Sequence, residues 1–373
     1  MMKSSTVARA GRLLAIAACL APTLSFADIV LGHSGDLSGT SAALTKDYLR
    51  GMNAYFDDLN KKGGVRGEKI KLVSRDDGFN PDKTAENTKA LIEQNVLALV
   101  GYRGTANVQK IVPLVQAAGI AEIGNTSGAK SLRDPYVPGL FHVRASTTDE
   151  IEATVNHAWT IGVTRIAAAY QDDAFGKEGL DALNAAIQKR GGKAVAAAPV
   201  PRGTVDVDKA VEALAAADPQ AVLFIGQSKP AAALVKGLRA KGKRPQFMVL
   251  SVASGLHADL GEDAAGVIVS QVVPYPFTEL GTPVVRDYQK IIGQLDDKKY
   301  SYNSMEGFLN AKLVAQALQK IQPPYTRAKV ISTLEAMNNE DLGGFAVSYG
   351  KQSNLGSRFV ALTMIRKDGS FAR

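Results

Sequence analysis

One stretch, residues 97–132, most constrains what this chain can fold into. It begins with a short apolar run that Gly101 ends. Apolar side chains then recur at the spacing of a helix that is buried on one face, at Val108, Ile111, Val112 and Val115. Gly119 ends that helix, and residues 120–123 form a second apolar run. A strand, helix and strand of this length predict a right-handed parallel crossover, and therefore an α/β fold.

Two loops follow these strands and are candidate binding loops. They cover residues 101–105 and 124–128, at the carboxyl ends of the strands, where helix N-termini attract anions. Each loop contains glycine, and the hydroxyls of Thr105, Thr126 and Ser127 can donate to a carboxylate. The pattern predicts a site for a small anion. The same residue types also cap helices and turns, and the spacing leaves that alternative open.

The first 27 residues have the pattern of a secretory signal peptide. Three basic residues precede the apolar run 13–20, and small residues at 25 and 27 suit a signal peptidase. The run is shorter than the roughly 20 apolar residues of a spanning helix. We therefore expect export and a mature chain that begins at Asp28. Residues 16–19 also resemble a lipoprotein cleavage box, so a lipid anchor on Cys19, the only cysteine, is the alternative.

Charge and motif patterns argue against several classes of function. The formal net charge of +8 falls to +5 without the signal peptide, and the basic residues are scattered rather than interleaved with aromatics. No nucleic-acid partner is expected. The four histidines show no metal spacing, and neither a phosphate-binding loop nor a nucleophile motif is complete. We therefore expect no cofactor and no enzymatic activity.

Strands and helices alternate in two successive series, 28–144 and 147–273. The second series begins with Thr147 and Glu150, which have the spacing of a helix capping box. Two series of this kind predict two doubly wound α/β lobes. Beyond residue 277 the pattern predicts helices and strands that it does not assign to either lobe, the helices at 284–295, 304–321 and 326–337 and the strands at 345–349 and 359–365.

Several segments resemble one known family in order and spacing. They are SGDLSGTSAALTKDYLRGMNAYFDDLNKKGGVRGEKIKL, DDGFNPDKTAENTKALI, VGYRGTAN and DDAFGKEGLDAL. From Asp28 onward the chain resembles the leucine/isoleucine/valine-binding proteins, periplasmic solute-binding proteins of branched-chain amino acid ABC importers. The resemblance implies a type I periplasmic-binding fold, with two three-layer α/β lobes joined by a hinge of three crossings. Lobe 1 would comprise 28–145 and 278–343, and lobe 2 would comprise 146–277 and 344–373.

The resemblance also implies binding roles for individual residues. Thr105 matches the hydroxyl that binds the ligand carboxylate, and Thr126 matches a residue that contacts the ligand through its backbone. Asp149 matches a further binding position. Phe175 matches an aromatic residue that lines the pocket from lobe 2.

Other positions depart from the family pattern. Gln227 stands where relatives carry a tyrosine that closes the cleft, and Ser251 stands where a glutamate pairs with the ligand's ammonium. A buried ammonium without a carboxylate partner is costly, so the departure favours an acid that lacks the amino group. The alternative is that another acid takes this role, Asp149, Asp172 or Asp173. Arg103 could bind a carboxylate in bidentate fashion, or lie exposed at the lip of the cleft.

The resemblance implies a non-enzymatic, monomeric periplasmic receptor. It would capture a small carboxylate-bearing solute by hinge closure and deliver it to an ABC permease in the inner membrane. An exported sensor domain that reports the same ligand to a signalling partner is an alternative, and an α/β enzyme is another. The ligand stays open between a branched-chain amino acid, an aromatic acid and a short dicarboxylate.

Overall fold

The computed structural model describes residues 28–278 and 282–373, so the predicted signal peptide, with Cys19, lies outside the described residues. A five-stranded sheet forms the centre of lobe 1, in the order β2-β1-β3-β4-β5, and all its neighbouring strands are parallel. Its strands are β1 (Ile29–Gly35), β2 (Ile70–Asp76), β3 (Ala98–Val100), β4 (Glu122–Ile123) and β5 (Leu140–Phe141).

Six helices belong to lobe 1. They are α1 (Ala42–Lys61), α2 (Pro81–Glu93), α3 (Thr105–Ala118), α9 (Pro283–Ile292), α10 (Tyr302–Lys320) and α11 (Arg327–Glu335). The helices α1 and α10 pack closely at two glycines, where there is no room for a side chain. A Cβ at Gly51 would lie 1.8 Å from the Ser304 carbonyl oxygen, and a Cβ at Gly307 would lie 1.9 Å from the Tyr48 carbonyl oxygen. The last three helices correspond to those predicted beyond residue 277. Since α10 and α9 pack on α1, and α11 packs on α10, we propose that all three belong to lobe 1.

A seven-stranded sheet forms the centre of lobe 2, in the order β15-β14-β10-β9-β8-β6-β7. Its first five strands along the chain are parallel, namely β6 (Ile166–Gln171), β7 (Ala197–Val200), β8 (Ala221–Ile225), β9 (Gln246–Val249) and β10 (Ile268–Gln271). The strands β14 (Ala361–Ile365) and β15 (Phe371–Ala372) add an antiparallel edge. The helices are α4 (Thr147–Thr160), α5 (Ala174–Gln188), α6 (Asp208–Ala217), α7 (Ser228–Ala240) and α8 (Leu256–Leu260).

The central strands of both sheets are buried along their length, as expected for sheets covered by helices on two faces. All residues of β3 and β8 are buried. Such continuous apolar strands are typical of parallel sheets in three-layer α/β folds. The predicted fold class, two doubly wound three-layer α/β lobes, is confirmed. Among the described residues, no helix is both long enough and apolar enough to cross a bilayer.

We propose that three segments connect the lobes, at 142–146, between β10 and α9, and at 357–360. Before the last of these, a small antiparallel sheet is formed by β11 (Glu340–Asp341), β12 (Ala346–Gly350) and β13 (Ser353–Gly356). This sheet lies against the end of β5, where the His142 N–H donates to the Asn354 carbonyl oxygen at 3.0 Å. The resemblance implied that 344–373 belongs to lobe 2. We propose instead that the third crossing lies at 357–360 and that lobe 2 gains only the strands beyond it.

The capping box of α4 lies one residue earlier than predicted. The Ser146 hydroxyl accepts a hydrogen bond from the Asp149 N–H at 3.0 Å, and the Asp149 carboxylate accepts one from the Ser146 N–H at 3.1 Å. The prediction of Thr147 and Glu150 was therefore wrong. Glu150 is instead buried and paired with Arg144, because it faces the interior of lobe 2.

Candidate functional site

A cavity lies between the lobes, where the loops after β3 and β4 face the N-terminal ends of α5 and α7. Its empty volume, including space that is open to solvent, is about 320 Å³. Lobe 1 contributes Phe79, Arg103, Gly104, Thr105, Thr126 and Ser127 to its wall. Lobe 2 contributes Gln171, Asp173, Phe175, Gln227 and Val252. The structure thus brings together six of the eight residues that the sequence proposed, all except Asp149 and Ser251.

The first loop owes its shape to two glycines. Gly101 and Gly104 both have positive φ, +69° and +90°, and Gly104 is the N-cap of α3. Because this cap has no side chain, nothing from the cap residue covers the N–H groups of the first turn, which favour an anion. Thr105 begins the helix, and its hydroxyl lies 2.7 Å from that of Ser127 in the second loop. The two hydroxyls therefore sit side by side on the cavity wall.

The second loop is held by its backbone. The Thr126 N–H donates to the Tyr102 carbonyl oxygen at 2.8 Å, and the Thr126 carbonyl oxygen accepts from Arg144 Nη1 at 2.8 Å. The Thr126 hydroxyl is buried and has no hydrogen-bond partner among the described residues. The hydroxyl, rather than the backbone groups that the resemblance implied, is therefore the part of Thr126 that is free to bond a ligand.

Arg103 is buried in the cavity wall, with only 4% of its surface exposed. The alternative that it lies exposed at the lip is therefore wrong. Within the described part of the chain, its Nε and Nη2 atoms have no hydrogen-bond partner. Burial lowers the pKa of Arg103 to about 10, a fall that the nearby Glu306 carboxylate opposes, so the guanidinium stays charged at neutral pH. A buried donor without an acceptor is costly, and an acceptor in the cavity would remove that cost.

Lobe 2 presents an apolar ring and a neutral amide. Phe175 lies in the first turn of α5, which begins where it does because the Asp173 carboxylate caps it, accepting from the Gly176 N–H at 3.1 Å. Gln227 is the N-cap of α7 and is 7% exposed. Its Oε1 atom has no partner among the described residues. The lobe 2 wall thus offers apolar contact and an unpaired amide oxygen.

Asp149, Asp172 and Asp173 are the acids that could pair with a ligand's ammonium, and of these only Asp173 lines the cavity. Its Oδ2 atom already accepts from Gln171 Nε2 at 2.6 Å and from Arg202 Nε at 3.1 Å. Asp149 caps α4 and pairs with Arg358 at 3.0 Å. Asp172 pairs with Lys177 at 2.9 Å, in solvent.

Ser251 lies beside the cavity rather than in its wall. Its N–H donates to Glu150 Oε2 at 2.9 Å, and its hydroxyl accepts from Arg144. Arg144 is 2% exposed and also contacts Glu150 at 3.1 Å and Glu306 at 3.6 Å. Burial opposes its charge, but the carboxylates of Glu306 and Glu150 outweigh that effect and raise the pKa of Arg144.

The network around Arg144 was missed by the sequence reasoning. It joins the first crossing to both lobes, because Thr126 and Glu306 belong to lobe 1 whereas Glu150 and Ser251 belong to lobe 2. A single arginine at a strand end carries no signal of such a role. Phe79, Gln171 and Val252 were also missed. Phe79 has a φ of +62°. Its loop is part of a segment that resembles the family, but nothing in the sequence indicated that its ring lines the cavity.

The lobes are closed on the cavity. The Ser131 N–H of lobe 1 donates to Glu178 Oε2 of lobe 2 at 3.0 Å. Arg202 of lobe 2 donates to the Phe79 carbonyl oxygen and to Asn107 Oδ1, both at 2.9 Å. These contacts between the lobes close the cleft beside the cavity.

Comparison with known proteins decides the family. The model of a family described as periplasmic binding protein matches residues 28–370. The chain belongs to the periplasmic binding protein family. The predicted resemblance is thereby confirmed, and so is the prediction that this periplasmic binding protein is not an enzyme.

Individual relatives agree with the family match. An amino acid binding protein of Pseudomonas aeruginosa is 29% identical over 230 residues, and the match spans only 61% of each chain. The structure of a possible leucine/isoleucine/valine-binding protein from Rhodopirellula baltica SH 1 superimposes with a TM-score of 0.89 at 28% identity, over 95% of this chain and 98% of that one. A substrate-binding periplasmic protein from Ralstonia solanacearum gives 0.87 at 32% identity, over 92% and 99%.

Proposed function

We propose that this periplasmic binding protein captures a small carboxylate-bearing solute between its lobes and delivers it to an ABC permease. The observation that carries the proposal is Arg103, a buried guanidinium in the cavity wall whose Nε and Nη2 atoms lack acceptors among the described residues. A carboxylate offers two oxygens in the geometry that such a fork binds best. The paired hydroxyls of Thr105 and Ser127 provide further donors on the same side.

Closure follows from the placement of these groups. The donors belong to lobe 1, whereas Phe175 and Gln227 approach from lobe 2. A solute that contacts both sides binds the closed form more tightly than the open form, so it shifts the equilibrium toward closure. The hydrogen bonds of Arg202 and Glu178 across the cleft also stabilise the closed form. Hinge closure is the mechanism that this arrangement supports.

The site of action in the cell completes the proposal. We propose that residues 1–27 direct the chain to the periplasm and are removed, with lipid attachment at Cys19 as the alternative outcome. The mature protein would act as a monomer and present the loaded, closed form to an inner-membrane permease. Mass spectrometry of the protein purified from its native membrane and periplasm distinguishes a chain that begins at Asp28 from one lipidated at Cys19.

A thermal-shift screen followed by calorimetry tests the binding claim. The panel contains branched-chain amino acids, their 2-oxo and 2-hydroxy analogues, aromatic acids and short dicarboxylates. A ligand at a hundred times its dissociation constant stabilises the folded state by about 2.7 kcal/mol, which raises Tm. The methyl ester of each binder is the matched control, because it keeps the body of the solute and loses the charge. Equal binding of acid and ester would overturn the carboxylate proposal.

A further inference from the structure

The polar groups of the cavity differ in kind between the two lobes. Lobe 1 offers donors, including a permanent positive charge on Arg103, whereas lobe 2 offers the neutral amide of Gln227. The Oε1 atom of Gln227 is buried and has no partner among the described residues. An unpaired buried amide marks a place where a bound solute supplies the missing hydrogen bond. The partner of a neutral amide need not be charged.

The single carboxylate in the cavity wall is already committed. Asp173 accepts hydrogen bonds from Arg202, from Gln171 and from the Gly176 N–H, which also fixes the start of α5. An ammonium that approached Asp173 would compete with the guanidinium of Arg202 for the same negative charge. The other acids nearby, Glu150 and Glu306, are not in the wall and contact Arg144.

Charge and hydrogen bonding therefore point to the same class of solute. A zwitterionic amino acid would satisfy Arg103 with its carboxylate but would bring a second charge into a cavity without a free carboxylate to receive it. Loss of water from that ammonium would be poorly compensated. A hydroxyl at the same position loses less hydration than an ammonium and can donate to Gln227 Oε1, whereas an oxo group can only accept, from Nε2 of the same amide.

We propose, resting on the proposed function, that the solute is a small 2-hydroxy or 2-oxo acid rather than the matching α-amino acid. Arg103 is the residue that selects the carboxylate, and Gln227 is the residue that selects an uncharged group beside it. Phe175 supplies an apolar wall for a branched or aromatic body.

Calorimetry on matched sets tests this specificity. One set is leucine, 2-hydroxy-4-methylpentanoate and 4-methyl-2-oxopentanoate, and the other is phenylalanine with its 2-hydroxy and 2-oxo analogues. We expect at least one hydroxy or oxo analogue in a set, which lacks the ammonium, to bind at least about tenfold more tightly than the amino acid, a difference of about 1.4 kcal/mol. Amino acids that bind as tightly as their analogues, or more tightly, would overturn this specificity while leaving a carboxylate receptor in place.

Variants of Gln227 and Arg103 test the specificity and the binding of the carboxylate separately. Gln227→Glu places a carboxylate beside the uncharged group, so the preference should move toward the amino acid, whereas Gln188→Glu, on the exposed side of α5, should leave it unchanged. An unchanged preference in a folded Gln227→Glu protein would remove Gln227 from the specificity site. Arg103→Gln should abolish binding of every acid. Failure of all acids with the unaltered protein would overturn both the specificity and the carboxylate-receptor function.

Discussion

Arg202 of lobe 2 donates a hydrogen bond of 2.9 Å to the backbone carbonyl oxygen of Phe79 in lobe 1. Its guanidinium also lies over the Phe79 ring, 4.2 Å from the centroid, and pairs with Asp173 at 3.1 Å. Phe79 and Asp173 both line the cavity. One side chain thus joins the two walls of the cavity, and it can do so only in the closed form.

Replacement of this arginine should weaken closure. We expect Arg202→Gln to raise the dissociation constant about fivefold, close to 1 kcal/mol, because the lost contacts are charge-assisted but partly exposed. The effect should appear mainly in the dissociation rate. Arg239→Gln is the matched control, since Arg239 pairs with Asp263 inside lobe 2. Stopped-flow kinetics that show equal dissociation rates for both variants would contradict a role of Arg202 in closure.

Thr105 should contribute directly to binding. Thr105→Val keeps the shape of the side chain and removes the hydroxyl, so affinity should fall by about 1.5 to 3 kcal/mol, the range for a hydrogen bond to a charged group. Thr160→Val, at the exposed end of α4, is the control. If calorimetry gives the same affinity for both variants, Thr105 does not contact the ligand.

The ion pairs of Arg144 should matter for stability. Arg144→Met would leave Glu150 and Glu306 buried without their guanidinium partner, and breaking a buried pair in this way costs about 3 to 5 kcal/mol. We expect a loss of that size in urea denaturation. Adding Glu150→Gln should recover part of it, because the unpaired charge is then removed. A loss below about 1 kcal/mol would show that water or other groups compensate these carboxylates.

Glu122 should make stability depend on pH. Burial raises its pKa to about 8, so above pH 4.5 the unfolded state has lost a proton that the folded state still holds, and stability falls as the pH rises toward 8. Burial lowers the pKa of His33 to about 4, and this group affects stability only below pH 6.5, with the opposite sign. Between pH 6.5 and 8, the slope from Glu122 is therefore up to about 1.4 kcal/mol per pH unit.

Glu122→Gln isolates this effect, because it keeps the size of the side chain and cannot titrate. Urea denaturation at pH 6.5 and pH 8 should show a smaller loss of stability for the variant than for the unaltered protein. Parallel changes in the two proteins would mean that Glu122 is already ionised in the folded state at pH 6.5.

The fold was largely predictable because its signals are local. Apolar runs such as β8, and the periodicity of helices such as α1, give the α/β alternation directly. The start of α4 was missed by one residue because Ser146 and Thr147 are both good caps, and only the packing of Glu150 decides between them. The pairing of β13 beside β5 joins residues more than 200 positions apart, which no local pattern reveals.

The cavity was predictable only where glycine and hydroxyl residues cluster. Thr105, Thr126 and Ser127 follow strand ends and were found for that reason. Whether Arg103 is buried depends on how the two lobes meet, as does the contact of Arg202 with Phe79. Such relationships arise from the way in which the two lobes meet. The sequence therefore did not decide whether Arg103 is buried, and it did not indicate a role for Arg202.

The central claim, that the lobes close over a small acid, is tested most directly by small-angle X-ray scattering. The probe is the acid that raises Tm most in the matched sets, added at saturation to the protein freed of ligand by partial unfolding and refolding. We expect a smaller radius of gyration with the acid, and a curve that matches this closed structure. Superimposable curves with and without an acid that calorimetry shows to be bound would contradict a receptor that works by hinge closure.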